Sequence, residues 1–153
     1  MTMAEVWTNP ASCNCLALRQ AARHVTQFYD QFLAPSGLRA TQYSILARLH
    51  RRGPMTINAL AAELVMDRTT LGRNIRPLQR DALIAVGTGK SDRRSKEVRL
   101  TPVGVARFEA GRKAWQKAQV QFETAFGAKR AEALRTMLHA VATEDPQDSH
   151  AQA

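Results

Sequence analysis

Apolar residues recur at Leu18, Ala22, Val25, Tyr29 and Phe32, the three-and-four spacing of one helical face, which predicts a first helix over about 15–33. Pro35-Ser36-Gly37 stops it, and Ile45, Leu46 and Leu49 mark a second helix over 41–50 that ends at Arg51-Arg52-Gly53-Pro54. Thr56 is placed to cap a short third helix carrying Ile57, Leu60, Ala61 and Leu64. After a tight turn at Val65-Met66, Asp67 can cap a fourth helix to about Arg80, with Leu71, Ile75 and Leu78 inward. Pro77 lies inside that helix, and a kink is expected there. Leu83–Val86 and Lys96–Leu100 read as two short strands, with a basic tip between them.

Thr101-Pro102 has the form of an N-cap followed by proline at the first helical position. Phe108, Trp115 and Phe122 then recur every seven residues, with Ala118 and Phe126 on the same face, so a long helix should run from Pro102 to about Phe126. Gly127 ends it, and Leu134, Met137, Leu138 and Val141 mark a last helix. Residues 1–12 form a loose arm in this reading, and the polar tail from Thr143 is expected to be disordered.

The order is therefore α-α-α-α-β-β-α-α, mainly α with a small β-hairpin. A short polar-faced helix followed by a basic hairpin describes a winged helix-turn-helix, one element fitting the major groove and the other the minor groove. The division expected is an arm and first dimerisation helix over 1–34, a DNA-binding lobe over 35–101, C-terminal dimerisation helices over 102–142, and a tail over 143–153. The first and the long late helix have apolar faces without an evident partner in 153 residues, which a symmetric dimer would cover.

Charge sharpens this picture. The chain carries a net +9, and residues 51–100 hold eleven Lys and Arg against five Asp and Glu. Positive charge concentrated in one segment is the footprint of a polyanionic partner. No apolar run reaches the length of a membrane span, and the amino terminus lacks the form of a secretory signal, so a cytoplasmic protein is expected. Cys13 and Cys15 are too few for a disulfide framework and fit reduced thiols. His24, His50, His139 and His150 are scattered, so neither a metal nor any other cofactor is expected. No phosphate loop, nucleophile elbow or HExxH stretch points to an enzyme.

On the outward face of the fourth helix, Arg73 can pair with guanine, Asn74 with adenine, and the methyls of Thr69 and Thr70 can pack on thymine. Arg68 opens that helix, while Arg76 and Arg80 are expected to meet phosphates. In the wing, Lys90, Asp92, Arg93, Arg94 and Lys96 form the basic finger, and an arginine in a narrow minor groove senses width rather than full sequence.

Leu60-Ala61-Ala62-Glu63-Leu64, Asp67-Arg68-Thr69-Thr70-Leu71, Ser91-Asp92-Arg93-Arg94-Ser95-Lys96 and Leu100-Thr101-Pro102-Val103-Gly104 occur in that order, and the chain from Cys15 to Val141 resembles the MarR family of bacterial transcriptional regulators. The resemblance implies a homodimer on double-stranded DNA, a repressor by family habit, with Arg94 as the inserted side chain and Asp92 pairing with a nearby arginine. It also implies a small aromatic or phenolic acid as effector, for which Arg23, His24, Phe28 and Tyr43 are candidate lining residues, with Trp7 and Trp115 at the rim. Cys15-Leu16-Ala17-Leu18 is similar to the first helix of the organic-hydroperoxide-sensing branch, in which a reactive cysteine hydrogen-bonds to tyrosines. Tyr29 matches one of those tyrosines, but Ala40 stands where the other would be. The resemblance thus also implies, as the alternative to ligand release, a thiol-based organic-peroxide sensor in which oxidation of Cys15 releases DNA; a buried, inert cysteine and a non-specific architectural DNA-binding protein are the further alternatives.

Overall fold

The computed structural model describes residues 9–144. Residues 1–8 of the arm, with Trp7, and the tail beyond 144, with His150, lie outside the described residues; the rest of the expected loose arm is a 3-10 turn over Pro10–Ser12, where Asn9 Oδ1 accepts the Ala11 N–H at 2.9 Å. Helix α1 (Asn14–Leu33) begins at Cys13, whose sulfur accepts the Leu16 N–H at 3.4 Å. A single 3-10 turn and Gly37, at φ 73, reverse the chain into α2 (Ala40–Arg52). The Ala40 N–H donates to Asp30 Oδ1 at 2.7 Å, tying the two helices at that corner.

Three local caps anticipated from sequence are present. Thr56 Oγ1 accepts the Ala59 N–H at the start of α3 (Ile57–Glu63), and Asp67 Oδ1 accepts the Thr70 N–H at the start of α4 (Arg68–Arg80). Thr101 Oγ1 accepts the Gly104 N–H at the start of α5 (Pro102–Phe126). Helix α4 continues through Pro77 to Arg80: the missing N–H removes one bond, but Ile75 and Leu78 on either side are buried and hold the helix down. Helix α6 (Ala128–Thr143) follows Gly127, whose N–H donates to the Glu123 carbonyl at 2.9 Å. Thr143, assigned above to the tail, is the last residue of that helix.

The sheet departs from expectation. A third strand, β1 (Met55–Thr56), pairs antiparallel with β3 (Lys96–Leu100), which also pairs with β2 (Ile84–Thr88), giving the order β1-β3-β2. Two residues are too few to show a period, and β1 exists because the free edge of β3 lies beside them.

One core joins Leu33 and Leu38 to residues of α2, α3, α4, β2, β3 and α5. Phe108 of α5 stacks on Tyr43 of α2 at 5.6 Å, and Gly111 lets the helix approach Tyr43 and Leu38 closely. The expected boundary at 101/102 is therefore not a break in packing. The second half of α5 lies along α1, where Tyr29 donates to Gln119 Oε1 at 2.6 Å and Phe122 meets Phe28 at 6.3 Å. Much of the apolar face expected to await a second chain is thus covered within this one. Leu16 and Leu18 of α1, Val120 of α5 and Met137, Leu138 and Val141 of α6 remain exposed.

Candidate nucleic-acid interface

Burying Leu71, Ile75 and Leu78 turns the other face of α4 outward. Arg68, Thr69, Thr70, Arg73 and Arg76 are exposed on it, and Asn74 is half-buried. The Asn74 amide donates to the Thr70 carbonyl at 2.9 Å, and the Thr70 hydroxyl donates to Asp67 Oδ2 at 2.5 Å. The Thr70 hydroxyl first, and then the Thr70 N–H, hold the Asp67 carboxyl below its usual range. The side-chain bond between Asp67 and Thr70 was not anticipated, although an acid at the cap with threonine three residues on is the spacing that permits it.

The wing tip is held by its own backbone. Gly89 N–H donates to the Ser95 carbonyl at 2.9 Å, Ser95 N–H to the Asp92 carbonyl at 3.1 Å, and Arg94 N–H to Asp92 Oδ1 at 2.9 Å. Asp92 therefore shapes the tip through the Arg94 main chain, where a guanidinium partner was expected. An Asx-type turn needs only local ordering, whereas an exposed ion pair must immobilise a long side chain for little gain. Lys90, Arg93, Arg94 and Lys96 all project from the tip exposed.

Some of the cations around this surface are paired with acids and others are not. Arg48 and Arg52 reach Glu63, and Arg80, expected at a phosphate, is bound to Asp81 at 3.0 Å. Arg68, Arg73, Arg76, Arg93 and Arg94 have no acidic partner among the described residues. Five unneutralised guanidiniums on one helix face and one hairpin tip are available to a polyanion.

The candidate effector residues do not gather within the chain. Phe28 belongs to an aromatic group with Tyr29, Phe32 and Phe122, whereas Tyr43 stacks with Phe108 and Trp115 in the core. Trp115 is thus a packing residue rather than a rim. Arg23 and His24 are exposed, and Arg23 borders an open depression of about 350 Å³ with Ala22, Thr26 and Gln27. Cys15 is exposed, not buried. Tyr29 lies fourteen residues further along the same helix, about 21 Å away by the helical rise, and its hydroxyl is bonded to Gln119. Within one chain no Cys15–Tyr29 contact can form.

Among the described residues no cluster of His, Cys, Asp and Glu is placed to hold a metal, and no helix is long and apolar enough to cross a membrane.

Comparison with known proteins agrees with this geometry. The MarR family profile matches residues 38–96, from the start of α2 into β3. The chain is 30% identical over 92 residues to YwoH of Bacillus subtilis (strain 168), an uncharacterised HTH-type transcriptional regulator, covering 60% of this chain and 66% of that one. It is 32% identical to the transcriptional regulator MosR of M. tuberculosis, covering 84% of this chain and 95% of that one at a TM-score of 0.72. A likeness in fold extends to Bordetella bronchiseptica BpsR, whose DNA binding is regulated by 6-hydroxynicotinic acid, at 23% identity, 90% and 98% coverage and a TM-score of 0.79. The chain belongs to the MarR family and is a DNA-binding transcriptional regulator with a winged helix-turn-helix.

Proposed function

We propose that the protein is a homodimeric repressor that binds a pseudo-palindromic operator and is released by a small aromatic acid. The observation that carries the DNA reading is the set of unpaired cations on the outward face of α4 and the wing tip. Thr69, Thr70, Arg73 and Asn74 read base edges in the major groove, while Arg68 and Arg76 hold phosphates. Arg94, with Arg93 beside it, enters the minor groove, and Lys90 and Lys96 meet the flanking backbone. Leu16 and Leu18 near one end of the chain, with Met137, Leu138 and Val141 near the other, supply an apolar surface for a second copy. The two α4 helices of such a dimer then meet half-sites about one DNA turn apart.

For the effector, the support is the regulation of BpsR by an aromatic acid and the exposed Arg23 beside its open depression. The acid lowers DNA affinity by binding better to the dimer geometry that does not fit the operator. The test is a gel shift on the protein's own promoter region, with excess bulk DNA, with and without aromatic acids. Retained binding and acid-dependent release are expected; binding that disappears with bulk competitor would instead identify a non-specific architectural protein. Sedimentation should give a dimer that Leu138→Glu dissociates, and a monomer still binding a full operator would refute the symmetric arrangement.

A further inference from the structure

We propose that Asp67 is a positioning residue that sets the polarity of the Thr70 hydroxyl, so that α4 favours an amino-bearing base over a carbonyl-bearing one where Thr70 meets the operator. A carboxylate only accepts hydrogen bonds, whereas a threonine hydroxyl has one hydrogen to donate and two lone pairs with which to accept. Asp67 Oδ1 is taken by the Thr70 N–H at 2.8 Å, and Oδ2 takes the only hydroxyl hydrogen of Thr70 at 2.5 Å. Outward, Thr70 is left with lone pairs and a methyl group. In the major groove such a group accepts from adenine N6 or cytosine N4 and has nothing to offer guanine O6 or thymine O4.

Asn74 is oriented by the same short chain of bonds. The Thr70 carbonyl can only accept, so the amide nitrogen of Asn74 must be the atom 2.9 Å from it. That leaves Oδ1 and one amide hydrogen free, the pair used in a bidentate contact with adenine. Both groups thus have a fixed hydrogen-bonding sense before DNA arrives, and Asp67 sets the sense of Thr70 without touching a base.

This inference rests on α4 being the base-reading helix, and the experiment separates the two. The full-length protein selects from a pool of duplexes randomised across the half-site, and the base preference at each position is compared with that of Asp67→Asn and Thr70→Val. In Asp67→Asn the amide oxygen still accepts the Thr70 N–H, so the cap survives. The amide nitrogen, however, now donates to the hydroxyl, whose own hydrogen turns outward. The wild type should favour adenine or cytosine at one position of one strand by about three- to ten-fold, as expected for one hydrogen bond. Asp67→Asn should reverse that column toward guanine or thymine with other columns intact, while the melting temperature falls only modestly, as the cap keeps its acceptor and loses its charge. Thr70→Val should flatten the same column alone. An Asp67→Asn column identical to wild type, or a Thr70→Val profile unchanged throughout, overturns the proposal. A wild-type pool with no enriched half-site overturns the base-reading role of α4 itself.

Discussion

Gly104 and Gly72 make a matched pair in which the same substitution should have opposite signs. At Gly104, in the first turn of α5, an added Cβ would clash with the Leu83 carbonyl oxygen, with the Leu83 carbonyl carbon only 2.8 Å away and Leu100 Cδ2 at 3.2 Å. That carbonyl is where α5 docks on the sheet: the Thr101 N–H donates to it at 3.1 Å, and the Thr101 hydroxyl donates to the Ala82 carbonyl at 2.6 Å. A methyl group cannot fit unless the first turn of α5 moves off the backbone, straining both bonds. Overpacking costs about 1–3 kcal/mol, and each compromised bond adds about 1 kcal/mol, so Gly104→Ala should destabilise by roughly 3–5 kcal/mol. Gly72 sits inside α4 with nothing within 4 Å of the new Cβ. Gly72→Ala should therefore stabilise by about 0.5–1 kcal/mol from helix propensity alone. Urea denaturation of both variants against wild type measures the difference through the midpoint at unchanged slope. A Gly104→Ala protein within about 0.5 kcal/mol of wild type, the size of an ordinary surface change, would refute the close docking of α5 on Leu83.

Other consequences follow from single residues. Val65 lies at φ 51, a region costing a β-branched residue about 1–2 kcal/mol, and is 72% exposed, so Val65→Asn should raise the melting temperature without loss of packing. A fall would place the strain elsewhere. Arg94→Ala should weaken DNA binding across many sequences and reduce the slope of log affinity against log salt by about 1, whereas Arg73→Ala should relax preference at particular bases; interchanged effects would reverse the roles of wing and helix. The carboxyls of Asp67, Asp81 and Glu123 are held low, by Thr70, by Arg80, and by Gln119 with Arg135 respectively. A depressed folded value means that their contribution is complete above the ordinary carboxylate range of about pH 4 and is lost as pH falls through the lowered values. Glu123→Gln should accordingly show a shallower loss of stability below that range than wild type in acid-unfolding curves.

The helix starts were legible because each is settled within one turn. Thr56, Asp67 and Thr101 each place a side-chain oxygen beside an N–H three residues away, so a short stretch of sequence contains both partners. The wing was legible for a similar reason, since two β-rich runs flank a cationic tip. The effector residues were not. Phe28 and Tyr43 sit on consecutive helices, yet one packs toward Phe122 and the other toward Phe108. Aromatics at helical spacing show which face is inward but not which neighbour they meet.

The sequence by itself determined the order of the helices and of the two hairpin strands, three of the helix caps, the polar face of α4 and the placement of positive charge, all properties of neighbouring residues or of one helical period. Only the tertiary structure decided that Arg48 and Arg52 of α2 meet Glu63 of α3 while Arg73 and Arg76 are left without an acidic partner among the described residues. It also decided that Met55–Thr56 becomes a strand on β3, and that α1 and α5 cover one another through Tyr29, Gln119 and Phe122. These outcomes depend on rotamers and on which distant segments the core brings together. A hydrogen bond or ion pair gains its energy only at a fixed distance, and outside a single turn that distance is set by packing.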